Sequence, residues 1–270
     1  MTTPPDDGTL QFIGTATTLL RHGGFTVLTD PNFLHRGQRA YLGRGLTSRR
    51  LTDPALRVDQ LPPIDVVVLS HLHGDHFDRV AARGLSRDLP IVTTRHAARK
   101  LRLRGFVNAV ALDTWQSHEL RKDGSTLRIT AMPGRHAYGP AQTLLPPVMG
   151  SVLEFGTAAG PLSVYITGDT LVYDDLREIP RRHPRLDVGL WHLGGTRILG
   201  LMVTMDGRQG ADLLEMIMPG MTVPIHYDDY TVFTSPLQDF LDEVDRRGLP
   251  GVRPVLRGEH VRLARPVKLT

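Results

Sequence analysis

Three imidazoles and one carboxylate stand almost side by side in the segment Ser70-His71-Leu72-His73-Gly74-Asp75-His76. Composition alone would produce a His-x-His-x-Asp-His pattern somewhere in a chain of this length with a chance on the order of 0.002. Imidazole nitrogens and carboxylate oxygens are ligands for zinc and related divalent ions. In extended chain, residues i and i+2 point to the same side, so His71 and His73 can share one ion. Gly74 permits a sharp turn, after which Asp75 and His76 leave in new directions and can reach a second ion. Three later residues complete the constellation: His136 in Pro133-Gly134-Arg135-His136-Ala137, Asp169 in Thr167-Gly168-Asp169-Thr170, and His226 in Val223-Pro224-Ile225-His226-Tyr227. The chain has no cysteine. That excludes disulfides, thiolate nucleophiles, iron–sulfur clusters and Cys-bound zinc, and it leaves His and carboxylate as the metal ligands.

The elements that position these side chains follow from local pattern. Residues 10–20 and 25–29 read as strands joined by Arg21-His22-Gly23-Gly24, a hairpin signal. Residues 64–69 form a β-branched run of buried-strand type, directly ahead of Ser70. Helix signals follow at 77–84 and 94–104, then a strand at 126–132 and a second hairpin, 150–155 with 162–167. Strand 186–192, helix 207–218, strand 221–226, helix 236–247 and terminal strands within 253–263 complete the pattern. Each hairpin delivers an aspartate at a strand end, Asp30 in the first and Asp169 in the second, which suggests two similar β-rich halves facing each other. Strands interspersed with helices fit two packed sheets covered by helices. All the candidate ligands then project from strand ends along one rim, where loops on a rigid scaffold commonly carry active sites.

In motif order and spacing, residues 10–230 resemble the metallo-β-lactamase-fold hydrolase superfamily. The segments Leu28-Thr29-Asp30-Pro31, Thr167-Gly168-Asp169-Thr170 and Pro224-Ile225-His226 are most similar to the branch containing L-ascorbate-6-phosphate lactonase and the phospholipase D that hydrolyses N-acyl phosphatidylethanolamines. The resemblance implies an α/β fold, the αββα four-layer sandwich of two mixed β-sheets with helices outside, formed by 1–270 as a single domain. It implies that His71, His73 and His136 bind one metal, that Asp75, His76 and His226 bind the other, and that Asp169 bridges them. Flavodiiron-like members carry a glutamate where this chain has His73, which disfavours an oxygen-reducing diiron site. The span from His76 to His226 leaves no room for the extra domain of the capped RNA-cleaving branch.

The expected function is a metal-dependent hydrolase with two divalent ions, Zn²⁺ by default and Mn²⁺ or Fe²⁺ as alternatives for the same ligands. Ions about 3.5–4 Å apart hold a bridging water whose pKa falls toward ~7, giving a hydroxide that attacks a lactone, ester, amide or phosphodiester. Asp75 is the candidate to handle the water's proton, and Asp30 to orient a ligand histidine from behind. A structural strand-end turn before Pro31 is the alternative for Asp30. Arg135, Tyr138, His192, Arg197 and Tyr227 flank ligand motifs and are candidate substrate contacts. Surface packing is the alternative for the four non-histidines, and a satisfied core histidine for His192.

The formal charge is +4 and the pI about 9.7. Arg supplies 29 of the basic residues and Lys 3, a skew that points to coding bias. Residues 36–57 hold six Arg against Asp53 alone, and such clustered charge steers an anionic small-molecule substrate. The basic stretch 79–104 reads instead as a solvated helix face. A nuclease on RNA or DNA is the alternative the pI suggests, but no basic motif interleaved with aromatics supports nucleic acid as a partner. A non-catalytic metal-dependent sensor is the further alternative. There is no P-loop, no dinucleotide fingerprint, no transmembrane run and no secretory signal in the polar start MTTPPDDGTL, so a cytoplasmic protein is expected; a homo-oligomer is compatible with the sequence.

Overall fold

The computed structural model describes residues 8–158, 160–198 and 200–263; most of the polar opening segment, and Lys268, lie outside them. The strands of the first half are β1 (Thr9–Gly14), β2 (Thr17–His22), β3 (Phe25–Thr29), β4 (Arg39–Gly43), β5 (Leu46–Arg49), β6 (Val66–Val68), β7 (Ile91–Thr94) and β8 (Ala109–Leu112). The helices among them are α1 (Arg79–Gly84) and α2 (Arg95–Leu103). The second half contains β9 (Ser117–Lys122), β10 (Ser125–Met132), β11 (Gly150–Gly156), β12 (Leu162–Ile166), β13 (Val188–His192), β14 (Arg197–Ile198) and β15 (Leu201–Met202). It ends with β16 (Met221–Ile225) and β17 (His260–Arg262), and its helices are α3 (Glu178–Arg182), α4 (Gly207–Ile217) and α5 (Leu237–Arg247).

Two mixed sheets result. One has the order β17-β1-β2-β3-β6-β7-β8, the other β16-β13-β12-β11-β10-β9. Each contains a hairpin that hands over to parallel strands: β2 and β3 pair antiparallel and β3 runs parallel to β6, while β11 and β12 pair antiparallel and β12 runs parallel to β13. The expected correspondence of the two halves is therefore visible in the strand directions.

Side-chain alternation builds the layers. Val27, Val66 and Val68 face the other sheet, where Leu153, Val164 and Leu190 meet them. Leu28 and Val67, one residue out of phase, pack instead on Ala97 and Leu101 of α2. In the second sheet Val152, Tyr165 and Trp191 turn outward onto Leu213, Leu214 and Ile217 of α4. The fold is thus helix, sheet, sheet, helix, the metallo-β-lactamase architecture. Each such side chain gains roughly 1.5–3 kcal/mol on burial, so the packed sheets, not the loops, fix where the strand ends fall. The helices start at side-chain caps: Asp78 accepts from Val80 and Ala81 at α1, Thr94 from Ala97 at α2, and Asp206 from Gln209 at α4.

The structure departs from the sequence reading in several places. The run 10–20 is two strands, not one, because Gly14 and Thr15 take positive φ and turn the chain back between β1 and β2. Within 253–263 only β17 is a strand. The pairs β4–β5 and β14–β15, and strands β7, β8 and β9, were not expected. They are short or, like β9, expose alternate polar side chains at a sheet edge. No helix among the described residues is long and apolar enough to cross a membrane.

Candidate metal centre

The parallel strands β3, β6, β12, β13 and β16 end at one rim, and the candidate ligands follow them. Asp30 closes β3, and its N–H donates to the Val68 carbonyl at 3.0 Å. Its Oδ1 accepts from both the N–H and the hydroxyl of Ser70, each at 2.8 Å, and so pins the start of the ligand loop. Asp30 and His226 are non-glycine residues at positive φ, 34° and 64°. Such conformations cost free energy and persist where the surroundings over-determine them; here the His226 N–H is held by the Thr15 carbonyl at 2.8 Å.

Two groups of side chains converge. In the first, His71 Nε2 lies 2.9 Å from His73 Nδ1, and His136 Nε2 lies 3.4 Å from that same Nδ1. Tetrahedral ligands on zinc at ~2.0–2.1 Å would stand about 3.3 Å apart, so these nitrogens are spaced as such a set needs. In the second group, His76 Nε2 lies 3.1 Å from Asp169 Oδ2, and His226 Nε2 lies 3.7 Å from both Asp75 Oδ2 and Asp169 Oδ1. Asp169 Oδ2 is also 4.0 Å from His71 Nε2, so this carboxylate stands between the groups. Within each group the ligand atoms lie within 4.8 Å of one another.

The surroundings leave lone pairs facing inward. The Nδ1–H of His136 donates to the Val203 carbonyl at 2.6 Å, and that of His226 to the Leu193 carbonyl at 3.1 Å, freeing both Nε2 atoms for a cation. Ser70 Oγ stands 3.0 Å from His71 Nδ1 and 3.3 Å from His76 Nδ1. His226 Nε2 and Asp75 Oδ1 are buried without a hydrogen-bond partner. A buried orphan of this kind is costly unless something compensates it, and a cation does so. The donor set therefore fits divalent metal.

Charge separates the groups. Burial drives the imidazoles of His71, His73 and His136 down, that of His73 to about 3, so they are neutral and ready to ligate. Burial also opposes charge on His76, but Asp169, Asp75 and Asp30 overcome it and hold His76 well above the usual imidazole range; His226 is raised in the same way, led by Asp169. A cation entering the second group must displace these protons. Since protons held by a raised pKa are lost only as pH rises, affinity there should climb with pH, while the first group stays nearly flat across neutrality. Metal equivalents bound per chain at about pH 6 and about pH 8 measure this, and one fewer tightly bound equivalent is expected on the acid side.

Comparison with known proteins decides the family. The beta-lactamase superfamily domain matches residues 26–227. The chain belongs to that superfamily. It is 27% identical over 228 residues, 80% of this chain and 92% of the other, to a UPF0173 metal-dependent hydrolase of Deinococcus radiodurans. A possible metal-dependent hydrolase from Veillonella parvula superposes with TM-score 0.79 at 23% identity, covering 95% of this chain and 99% of that one. An isothiocyanate hydrolase from Delia radicum gut bacteria gives TM-score 0.76 at 23% identity over 94% and 98%.

In this beta-lactamase superfamily member, a cavity of about 320 Å³ opens onto His73. Its walls come from the β4–β5 hairpin (Leu42, Gly43, Arg44, Leu46), the β14–β15 segment (Ile198, Leu201, Val203) and Leu145 with Pro146. Arg44 is the one permanently charged residue of that lining. The hairpin is anchored to the ligand loop, since the Gly74 N–H donates to the Tyr41 carbonyl at 2.9 Å. A Cβ at Gly74 would meet Tyr41 backbone N and O at 2.7 Å. Gly74→Ala should therefore push the hairpin away and cost about 1–3 kcal/mol of stability, read as a lower denaturant midpoint at unchanged slope.

The structure brings His71, His73, Asp75, His76, His136, Asp169 and His226 together with Asp30 behind them. It also places His192 in the centre: fully buried, Nδ1 3.3 Å from Asp169 Oδ1, Nε2 without a hydrogen-bond partner and 4.0 Å from Asp30 Oδ2. His192 is thus neither a satisfied core histidine nor a wall of the cavity. Arg135, Tyr138, Arg197 and Tyr227 do not line that cavity. Arg135 stacks on Tyr173 at 4.1 Å, and Tyr138 donates its hydroxyl to the Val172 carbonyl at 2.6 Å. Arg197 donates to Gly200 at 3.4 Å, and Tyr227 packs near Phe12. Sequence reasoning missed the apolar walls, which sit on the unexpected β4–β5 and β14–β15 pairs, strands too short to show a hydrophobic alternation.

Proposed function

We propose that this protein is a metal-dependent hydrolase of a small molecule that carries an apolar substituent next to an acyl carbon, as in a lactone, ester or amide. The observation that carries this reading is the apolar cavity abutting His73 and, through it, the two His/Asp groups. When bound at those groups, divalent ions, zinc foremost and manganese or iron as alternatives, supply Lewis acidity and acidify water. The chain's own residues do the rest. Leu42, Leu46, Ile198 and Leu201 bind the apolar substituent and exclude water, which strengthens electrostatic contacts inside. Asp75, buried beside His226 Nε2 at 3.7 Å, is placed to take the proton given up by the attacking water on the oxygen it does not lend to a cation. Asp30, through Ser70, and His192, against Asp169, keep the ligand side chains in place. Walls of this kind do not suit a polyanionic backbone, which weighs against a nuclease.

The test couples elemental analysis of the purified protein to a panel of lactones, esters, amides and phosphodiesters with alkyl groups of increasing length. Metal-dependent turnover is expected, with kcat/KM rising with alkyl length. Leu201→Glu should lower kcat/KM for the longer alkyl substrates by on the order of tenfold while sparing the shortest. Undiminished turnover by chelator-stripped protein, or inertness of the metal-loaded protein across the panel, would overturn the reading.

A further inference from the structure

A second cavity, of about 410 Å³, lies against Arg39–Tyr41 of the same hairpin and shares only His73 with the apolar one. Three arginines from separate elements line it: Arg39 of β4, Arg79 of α1 and Arg104 just past α2. The Arg79 Nη1 donates to the Arg39 carbonyl at 3.1 Å, which ties α1 to the hairpin, and Arg39 Nη1 donates to Thr47 Oγ1 at 3.2 Å. No ion pair joins Arg39, Arg79 or Arg104 to a carboxylate of the described residues, whereas Arg57 and Arg95 each have one and Arg247 has three.

Among the described residues one acid lines the cavity, Asp78, and both of its oxygens already accept hydrogen bonds from elsewhere. Oδ1 accepts from the N–H groups of Val80 and Ala81 at 2.7 and 2.8 Å. Oδ2 accepts from the N–H groups of Phe33 and Leu34 and from Asn32 Nδ2. Three arginines against one carboxylate leave the concavity with an excess of positive charge, which favours an anion. Guanidinium forks pair with phosphate oxygens by directed, charge-assisted bonds.

We infer that this second cavity, lined by Arg39, Arg79 and Arg104 against the single carboxylate of Asp78, is a binding site for a phosphate group, carried on an organic molecule or free. The site borders the ligand loop directly, because Tyr41 on its wall accepts from Gly74. It gives a specific place to the anion expected from the basic loop, and it recruits Arg79 and Arg104 from a stretch that reads in sequence as a solvated helix face.

The experiment is calorimetric titration of the metal-loaded protein with inorganic phosphate at low ionic strength, alongside the R79Q/R104Q double variant and the R208Q control. Arg208 is an exposed arginine of α4 outside this cavity. Saturable binding should weaken by on the order of tenfold or more in R79Q/R104Q and stay unchanged in R208Q. Phosphate held by metal alone would persist in the double variant, so equal affinity in wild type and R79Q/R104Q overturns the proposal. Weakening in R208Q in proportion to its one lost charge against two, a net-charge effect, overturns it too. Kinetics then separate the source: competition with phosphorylated esters marks the substrate's own arm, and a changed kcat for uncharged esters marks a free effector. The calorimetric result stands whether or not the acyl-hydrolase reading survives.

Discussion

Asp169→Asn should leave the fold intact and remove at least about 10³-fold of hydrolytic kcat, roughly 4 kcal/mol of barrier. The substitution keeps the shape of the side chain and deletes its charge. At this position charge is what matters: one oxygen faces His76 at 3.1 Å and His71 at 4.0 Å, the other His192 at 3.3 Å and His226 at 3.7 Å. Burial alone would raise the Asp169 carboxyl, yet the His226 and His76 imidazoles hold it well below the usual carboxylate range. It therefore presents a full negative charge to any cation in the centre at every working pH. An amide offers one acceptor and a pair of donors that would confront the histidines. Elemental analysis should show metal lost from the carboxylate-bearing group, with near-UV circular dichroism unchanged. Asp30→Asn is the comparison, because Asp30 supports His76 Nδ1 from 3.4 Å and Ser70 from 2.8 Å, and its loss should cost about 10–100-fold in metal affinity. Wild-type metal content and turnover in Asp169→Asn would remove the basis of the proposed chemistry.

Local spacing made much of this centre legible before any fold was known. The segment from His71 to His76 is read from residue types alone, and the β-branched runs ahead of Asp30 and Ser70 mark buried strands. What stayed hidden depends on long-range packing. The β4–β5 hairpin exposes Arg39, Tyr41, Leu46 and Thr47 while burying Ala40 and Leu42, too short a pattern to distinguish from a loop. His192 closes a plain hydrophobic strand, and only the meeting of β12 with β13 sets it against Asp169. The basic run 36–57 looked like a uniform field for anions. Arg50 within it is instead wholly buried, and Arg57 pairs with Asp59 at 3.0 Å. Charge counts along a chain do not separate guanidinium groups that face water from those that staple the interior.

Arg50 marks where the largest loss of stability should follow from one substitution. Its side chain and that of Asp229 are both fully buried, 3.3 Å apart. Asp229 also accepts from the Thr15 N–H at 2.6 Å and from the Thr52 hydroxyl, and it pairs with Arg257 at 3.2 Å. Arg50 has Asn32 besides, through the backbone carbonyl at 3.1 Å and the side-chain oxygen. The two truncations are therefore unequal. Arg50→Ala leaves Asp229 with a second cation and two hydrogen-bond donors. Asp229→Ala strands a buried guanidinium against neutral oxygens, so it should cost about 3–5 kcal/mol and more than Arg50→Ala. Burial would raise the Asp229 carboxyl, but Arg50 and Arg257 depress it below its unfolded value. A depressed carboxylate stabilises the fold above its unfolded pKa and loses that contribution as pH falls through the folded one. The gap between wild type and Asp229→Ala should thus be widest near neutrality and close in acid below about pH 4. Urea unfolding of both variants at neutral and acid pH reads the order and the convergence; an Arg50→Ala loss larger than that of Asp229→Ala would show that the pair is held together by packing around the guanidinium and not by its charge.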